Sequence, residues 1–301
     1  MIWDKLVTIF GTFFLVCACI SVVIYLIEKI NYNRILGKRD AAETGRKKLA
    51  IITGASSGLG RDYARFFCEH KKDDVDQLLV IARREERLEE LKDSLTIPTT
   101  VYPMDMTNEE EMAAFKIYLE EKVQSERIDI AYLINAAGLG FSGYSLELGS
   151  EKEVHTGKIN CEAQVRMVHI VAPLMGAGGN IIQIASVAAF NPIPNLNVYA
   201  ASKAFIYTYA RGLRGELLPK GINVTTVCPY FIEDTEFIDK AEMDRKKLFL
   251  PLKSQHVVEK SMKDTDRGFA VSTPGVIGTL DRIFCGLIPD EVLLYLMKLF
   301  A

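Results

Sequence analysis

Lys47 to Gly60 read KKLAIITGASSGLG. The apolar run Lys48 to Thr53 has strand length, and a helix-patterned stretch follows the glycines. Gly54, Gly58 and Gly60 therefore sit on a strand–turn–helix junction. Glycines there permit a tight turn and close backbone approach, and a helix N-terminus offers amides to a pyrophosphate. The spacing is G-x-x-x-G-x-G rather than the commoner G-x-G-x-x-G. The same residues also contain G-x-S-x-G (Gly54, Ser56, Gly58), the pattern of a serine-nucleophile elbow. An elbow follows several strands and is followed in turn by an acid and a histidine. This turn follows the first strand, and none of His70, His155, His169 and His256 lies in a partner motif. Gly54, Ser56, Ser57, Gly58, Leu59 and Gly60 are accordingly read as a cofactor loop.

Working outward, further apolar runs cover Gln77 to Ala82, Thr100 to Met104, Ile130 to Asn135, Asn180 to Ser186 and Ile222 to Cys228. Most are nearly continuous in apolar residues, as strands covered on both faces require. Helix-patterned stretches such as Arg84 to Leu95 alternate with them. This rhythm predicts an α/β fold: one Rossmann-type, doubly wound parallel sheet with right-handed crossovers, over residues 47–301. The 301 residues carry 36 basic and 39 acidic side chains, a balance that offers no field for nucleic acid. Six cysteines without a C-x-x-C pair make a disulfide scaffold or zinc ribbon unexpected, and no metal site is predicted.

Leu6 to Ile27 is a run of 22 residues without a charge. As a helix it would span roughly 33 Å, enough for a bilayer core of ~30 Å. A cleaved signal peptide would have a shorter apolar core, a more basic start and an A-x-A site. Here Asp4 offsets Lys5 and no such site follows. Residues 1–28 are therefore expected to be a transmembrane anchor and 29–46 a juxtamembrane linker. Lys29, Arg34, Lys38, Arg39, Arg46, Lys47 and Lys48 follow the apolar run, which predicts a single-pass protein with its domain on the cytoplasmic side.

Tyr199 and Lys203 stand one helical turn apart, a spacing that Tyr25/Lys29 and Tyr118/Lys122 share. Thirteen residues upstream the three pairs have Ser186, Thr12 and Asp105 respectively. Ser186 ends a predicted strand, where α/β sheets collect their chemistry, whereas Tyr118 is expected on a solvated helix. Reducing a ketone leaves an alkoxide that needs a proton. A tyrosine of pKa ~10 works near neutrality only beside positive charge. A serine can hydrogen-bond the substrate oxygen.

With these residues in place, the stretch from Lys48 to Ile288 resembles the short-chain dehydrogenase/reductase family. TGASSGLG is similar to its TGxxxGxG loop, and Asn135-Ala136-Ala137-Gly138 resembles its NNAG motif with Ala for the second Asn. The resemblance implies a catalytic set of Asn160, Ser186, Tyr199 and Lys203, with Asn160 on a proton path to the lysine. It also implies cofactor contacts from Asp105 and Met106, from Asn135, Ala136 and Gly138, and from Tyr199, Lys203 and Thr235. Asp105 would combine adenine contact with capping the helix Asn108 to Gln124. At Cys228 to Thr235 the chain departs from the family, with Tyr230 for Gly and the Thr one residue late. Assembly as a homodimer or homotetramer is a further implication.

Arg83 and Arg84 follow the second strand where an acidic residue would bind the ribose of NAD, so NADP (NADPH) is expected over NAD. The same resemblance implies that Phe231 to Met262 covers the pocket, its Phe231, Phe237 and Phe249 lining it for a small hydrophobic carbonyl or alcohol, or else belonging to the core. Its basic run Arg245 to Lys247 faces an anion, headgroups or solvent. The apolar Glu291 to Ala301 packs on the domain, dimerises or lies on a membrane. The activity expected is ketone–alcohol interconversion on a steroid, bile-acid or 3-oxoacyl type of compound. The alternative is a non-catalytic, membrane-anchored dinucleotide-binding protein.

Overall fold

Seven parallel strands form one sheet in the order β3-β2-β1-β4-β5-β6-β7. They are β1 Lys47–Thr53, β2 Gln77–Ala82, β3 Thr99–Pro103, β4 Ile128–Asn135, β5 Asn180–Ile184, β6 Asn223–Val227 and β7 Val271–Ser272. The structure is a computed structural model that describes residues 45–241, 250–285, 288–289 and 291–295, with positions 11, 12, 15, 16, 19, 23, 26, 27 and 30.

Alternation along each strand explains the continuous apolar runs. In β1, Leu49 and Ile51 enter one core, while Ala50 and Ile52 enter the core on the opposite face. The first core is built with α3 (Glu109–Ser125), α6 (Ala163–Val171) and α7 (Asn197–Leu217). The second is built with α1 (Gly58–His70), α2 (Glu85–Ser94) and α9 (Ser254–Asp266). Between α3 and α6 lie the short α4 (Ser145–Leu148) and α5 (Ser150–Gly157). The segment α8 (Glu236–Lys240) follows β6, and α10 (Val276–Cys285) follows β7. Fully buried side chains such as Tyr63, Phe67, Phe115 and Leu119 fill the two layers. Each large side chain buried this way contributes about 1.5–3 kcal/mol.

Several expectations need correction. β5 stops at Ile184, because Ser186 starts a 3-10 turn, Val187–Ala189, with its hydroxyl accepting from the Ala188 amide at 3.2 Å. Asp105 does not cap α3. Asn108 does, accepting from the amides of Glu110 and Glu111. Tyr118 is not simply solvated but packs, half-buried, on the first core. The stretch expected to cover the pocket divides. Its later part is α9, which packs on α1, with Tyr63 Oη and Ser261 Oγ 2.5 Å apart. The two residues of β7 were too few to leave a period in the sequence.

The predicted anchor and linker fall mostly outside the described residues. Leu15, Val16, Val23, Leu26 and Ile27, which are described, are helical and exposed. Among the described residues no helix is long and apolar enough to cross a membrane, so the expected transmembrane helix is not part of the described fold. Phe249 and the basic run Arg245 to Lys247 also lie outside the described residues.

Gly54 has φ +68°, and a Cβ there would come within 2.8 Å of the Ala137 backbone. Gly54→Ala should therefore cost about 1–3 kcal/mol. Urea unfolding should show a lowered midpoint; an unchanged one would mean the loop accepts a side chain.

Candidate active site

The sheet reverses its winding between β1 and β4, and their loops part at the carboxyl edge. A crevice forms at such a point. Here it widens into a cleft of 1310 Å³.

The glycine loop forms one wall. Gly54, Ser56, Ser57, Gly58 and Leu59 line the cleft. Gly60 lies beneath them, where a Cβ would meet the Gly54 carbonyl oxygen at 2.5 Å. Ser57 begins α1 without a side-chain cap and no acid occupies the first turn, so the amides there are open to an anion. These features fit a dinucleotide pyrophosphate. Opposite, Ala136 and Gly138 line the cleft while Asn135 is buried behind them, its Nδ2 donating to the Gln164 carbonyl at 3.3 Å. Thr53 Oγ1 accepts from the Ala137 amide at 3.1 Å and ties the two walls together.

At one end stand Arg83, Arg84, Asp105 and Met106, all lining the cleft. Arg83 is mostly exposed, 3.8 Å from Asp105. Arg84 donates to Ser56 Oγ, Ser57 Oγ and Glu236. The Ser56 hydroxyl thus accepts from a guanidinium, which is no setting for a nucleophile. Burial pushes the Asp105 carboxyl up, but hydrogen bonds from Thr107 and the nearby Arg83 outweigh it and leave it below its ordinary value.

At the other end, Ser186, Tyr199 and Lys203 line the cleft together. Tyr199 and Lys203 share a face of α7, and the Lys203 Nζ lies 5.6 Å from the Tyr199 ring centroid. That ammonium donates to the Ile184 carbonyl at 3.0 Å. Asn160 lies behind the cleft wall, 1% exposed, so it is neither a surface nor a capping residue. A π-helical turn, Lys158–Glu162, carries it. Its Nδ2 donates to the Leu139 carbonyl at 2.8 Å and to Ser202 Oγ at 2.9 Å, and its Oδ1 accepts from the Leu139 amide at 2.9 Å. A Cβ on Gly138 would lie 3.1 Å from Asn160 Oδ1 and 3.4 Å from Lys203 Nζ, so all three meet. Thr235 also reaches the cleft, its methyl 3.5 Å from where a Gly58 Cβ would be.

Burial dominates the electrostatics. It pushes the Tyr199 phenol up to about 12, a hydrogen bond with Ser186 acting in the opposite sense. It pulls the Lys203 ammonium down to about 8, against the nearby thiols of Cys161 and Cys228.

Gly140, Asp281 and Glu236 had no sequence signal as site residues, and the sequence did not show which partners Phe237 and Leu293 would meet. Gly140 lies against Tyr199, where a Cβ would come within 2.5 Å of the ring. Phe237 packs on Tyr199 with ring centroids 5.0 Å apart. Asp281 and Leu293 reach the cleft from the C-terminal region, and Glu236 pairs with Arg84 and Arg87. These partners come from elements distant in sequence, which no local pattern records.

Comparison with known proteins bears on this geometry. The short chain dehydrogenase family matches residues 48–246. Sulfoacetaldehyde reductase 2 of Chromohalobacter salexigens is 35% identical over 193 residues, covering 63% of this chain and 74% of that protein. The very-long-chain 3-oxoacyl-CoA reductase of Anas platyrhynchos is 30% identical over 204 residues, covering 64% of this chain and 62% of that protein. A short-chain dehydrogenase structure from Sphingobium yanoikuyae, in complex with NADPH, is similar with a TM-score of 0.67 and 30% identity. That likeness covers 80% of this chain and 94% of the other.

The buried ammonium has a consequence for stability. Lys203 titrates near 8 in the folded chain and near 10.5 when unfolded. Below pH 8 both states hold the proton and the folded state bears the full cost of burying it. Between those values the unfolded chain binds more protons, so stability rises with pH. Lys203→Met removes this contribution, so its stability gain over wild type should shrink from pH 7 to pH 9.5. Urea midpoints at the two pH values measure it; a constant difference would place the proton elsewhere.

Proposed function

This chain belongs to the short chain dehydrogenase family and is an NAD(P)-dependent oxidoreductase, and on that premise we propose that it is NADP-dependent and interconverts an apolar ketone and its secondary alcohol. The observation that carries this reading is the meeting of Ser186, Tyr199, Lys203 and Asn160 at the carboxyl end of β5, beside a glycine-walled cleft.

The glycine loop, with Leu59, would hold the pyrophosphate. Asp105 and Met106 would border the adenine, Ala136 and Gly138 would form the opposite wall with Asn135 buried behind them, and Thr235 would border the nicotinamide end. Bound there, the nicotinamide gives or takes a hydride. The chain's own residues manage the proton and the carbonyl. Ser186 donates a hydrogen bond to the substrate oxygen and fixes its position. Tyr199, which holds its proton at neutral pH and is pushed further up by burial, gives that proton to the developing alkoxide. Lys203 lowers the cost of the phenolate through its positive charge. The Tyr199 phenolate would take a proton from the Lys203 ammonium, and Asn160, which holds the Leu139 backbone beside that amine, would stand on the polar path that returns a proton to it.

Arg83 and Arg84, with no acid at the end of β2, support NADP: a guanidinium pairs with a 2′-phosphate, and a carboxylate there would repel it. Phe141, Ile193, Leu196, Phe237 and Leu293 line the cleft and suit a hydrophobic carbonyl of steroid, bile-acid or 3-oxoacyl type. The relatives named for a 3-oxoacyl compound and for an aldehyde share that reactive carbonyl. Leu6 to Ile27, with the basic residues after it, supports a single-pass membrane protein whose domain is cytoplasmic.

Two experiments test this. Tyr199→Phe should lower kcat by about a thousandfold and leave NADPH binding nearly unchanged. Tyr25→Phe and Tyr118→Phe, with the same lysine spacing, should leave the chemical step intact. If the Tyr199→Phe enzyme retained a tenth of turnover, on the order of a tenfold loss only, the tyrosine would be removed from the proton transfer. For the anchor, a chain starting near Arg39 should leave the membrane fraction and keep activity on a water-soluble ketone. Protease added to sealed vesicles, cytoplasmic face outward, should digest the domain of the full chain. Protection would reverse the topology.

A further inference from the structure

Arg84 precedes the first turn of α2, and Arg87 stands three residues on. Glu236, the first residue of α8, lies between them. Arg84 Nη1 donates to Glu236 Oε2 at 3.0 Å, and Arg87 Nη1 donates to Oε1 of the same carboxylate. The rest of the Arg84 fork faces the glycine loop, with Nε and Nη2 donating to Ser56 Oγ at 3.2 and 2.9 Å and Nη2 to Ser57 Oγ at 2.9 Å. One carboxylate thus engages two guanidiniums, one of them fixed by two hydroxyls of the loop that faces the cofactor. The three side chains are 33–46% exposed, and Arg84 and Glu236 line the cleft.

Two guanidiniums around a single anion, one of them steadied by the two serine hydroxyls that accept from it, are a donor set that recognises a phosphate. Arg83 is differently placed, mostly exposed and beside Asp105. Glu236 follows Thr235, which touches the glycine loop, and precedes Phe237, which packs on Tyr199. Its position is therefore set by both ends of the cleft.

We infer that Glu236 is a cofactor-specificity residue, an internal anion that holds Arg84 and Arg87 and competes for them with the 2′-phosphate of the dinucleotide. The inference rests on the NADP reading above. A nucleotide without that phosphate leaves the carboxylate in place. A nucleotide with it displaces the carboxylate and binds less tightly than the two arginines alone would allow. Glu236 so sets how strongly the enzyme distinguishes the two cofactors.

Calorimetry on the full chain with adenosine 2′,5′-bisphosphate and adenosine 5′-phosphate separates the possibilities, because the probes differ only in the 2′-phosphate. Wild type should favour the bisphosphate. Glu236→Gln should bind it about tenfold more tightly, the size expected when two partly exposed ion pairs no longer compete, with the monophosphate almost unchanged. Glu236→Asp keeps the charge but shortens its reach. It should show a smaller gain in the same direction, and it supplies the answer if the Gln variant does not fold. An unchanged or lowered preference for the bisphosphate, or an equal gain for both probes, overturns the inference and leaves NADP standing if wild type prefers the bisphosphate. If wild type shows no preference but the Gln variant acquires one, the NADP reading fails and the competition stands. If neither distinguishes the probes, both fall.

Discussion

Two loops at the centre of the sheet pass each other backbone to backbone, and the site depends on that approach. Gly54, at the end of β1, leaves no room for a Cβ against Ala137 after β4. The Thr53 hydroxyl bridges the same gap, accepting from the Ala137 amide and donating to the Ile134 carbonyl at 3.4 Å. The register that brings Thr53 opposite Asn135 makes this contact possible. A side chain at Gly54 would wedge the loops apart and displace Gly138 from Asn160 and Lys203. The glycine that shapes one wall of the cleft thereby also positions Gly138 against Asn160 and Lys203.

The cleft separates its tasks by polarity. Its glycine-loop end holds arginines, serines and carboxylates, partly exposed, where charge interactions are screened. Its other end is buried, and there a charge has large effects. Tyr199 and Lys203 are displaced in opposite directions by the same desolvation. The π-helical turn brings Asn160 into this layer, so its amide serves the Leu139 backbone rather than solvent.

The loop after β6 links the two ends. Thr235, Glu236 and Phe237 are consecutive, yet they touch the glycine loop, the arginines of the β2 end and the Tyr199 ring respectively. What binds at the glycine-loop end therefore bears on a segment in contact with the tyrosine. Tyr230, where the family has Gly, belongs to the same connection and lines the cleft. The departure from the motif has not moved Thr235 out of the site.

The sequence alone determined the parallel α/β fold, six of the seven strands within about two residues, the glycine turn after β1, and the spacing of a serine, a tyrosine and a lysine that come to line one cleft. These were legible because each rests on a short-range rule: apolar runs buried on both faces, glycines at a tight turn, a tyrosine and lysine one helical turn apart. Tertiary structure alone decided which neighbours surround them. Gly140 and Phe237 against Tyr199, Glu236 between Arg84 and Arg87, and Asn108 rather than Asp105 as the cap depend on loop geometry and pairing across the fold. The end of β5 at Ile184 was likewise decided by a turn, which lets Ser186 face the cleft instead of extending the ladder. Local periodicity records which face a residue buries, but not which distant side chain it meets there.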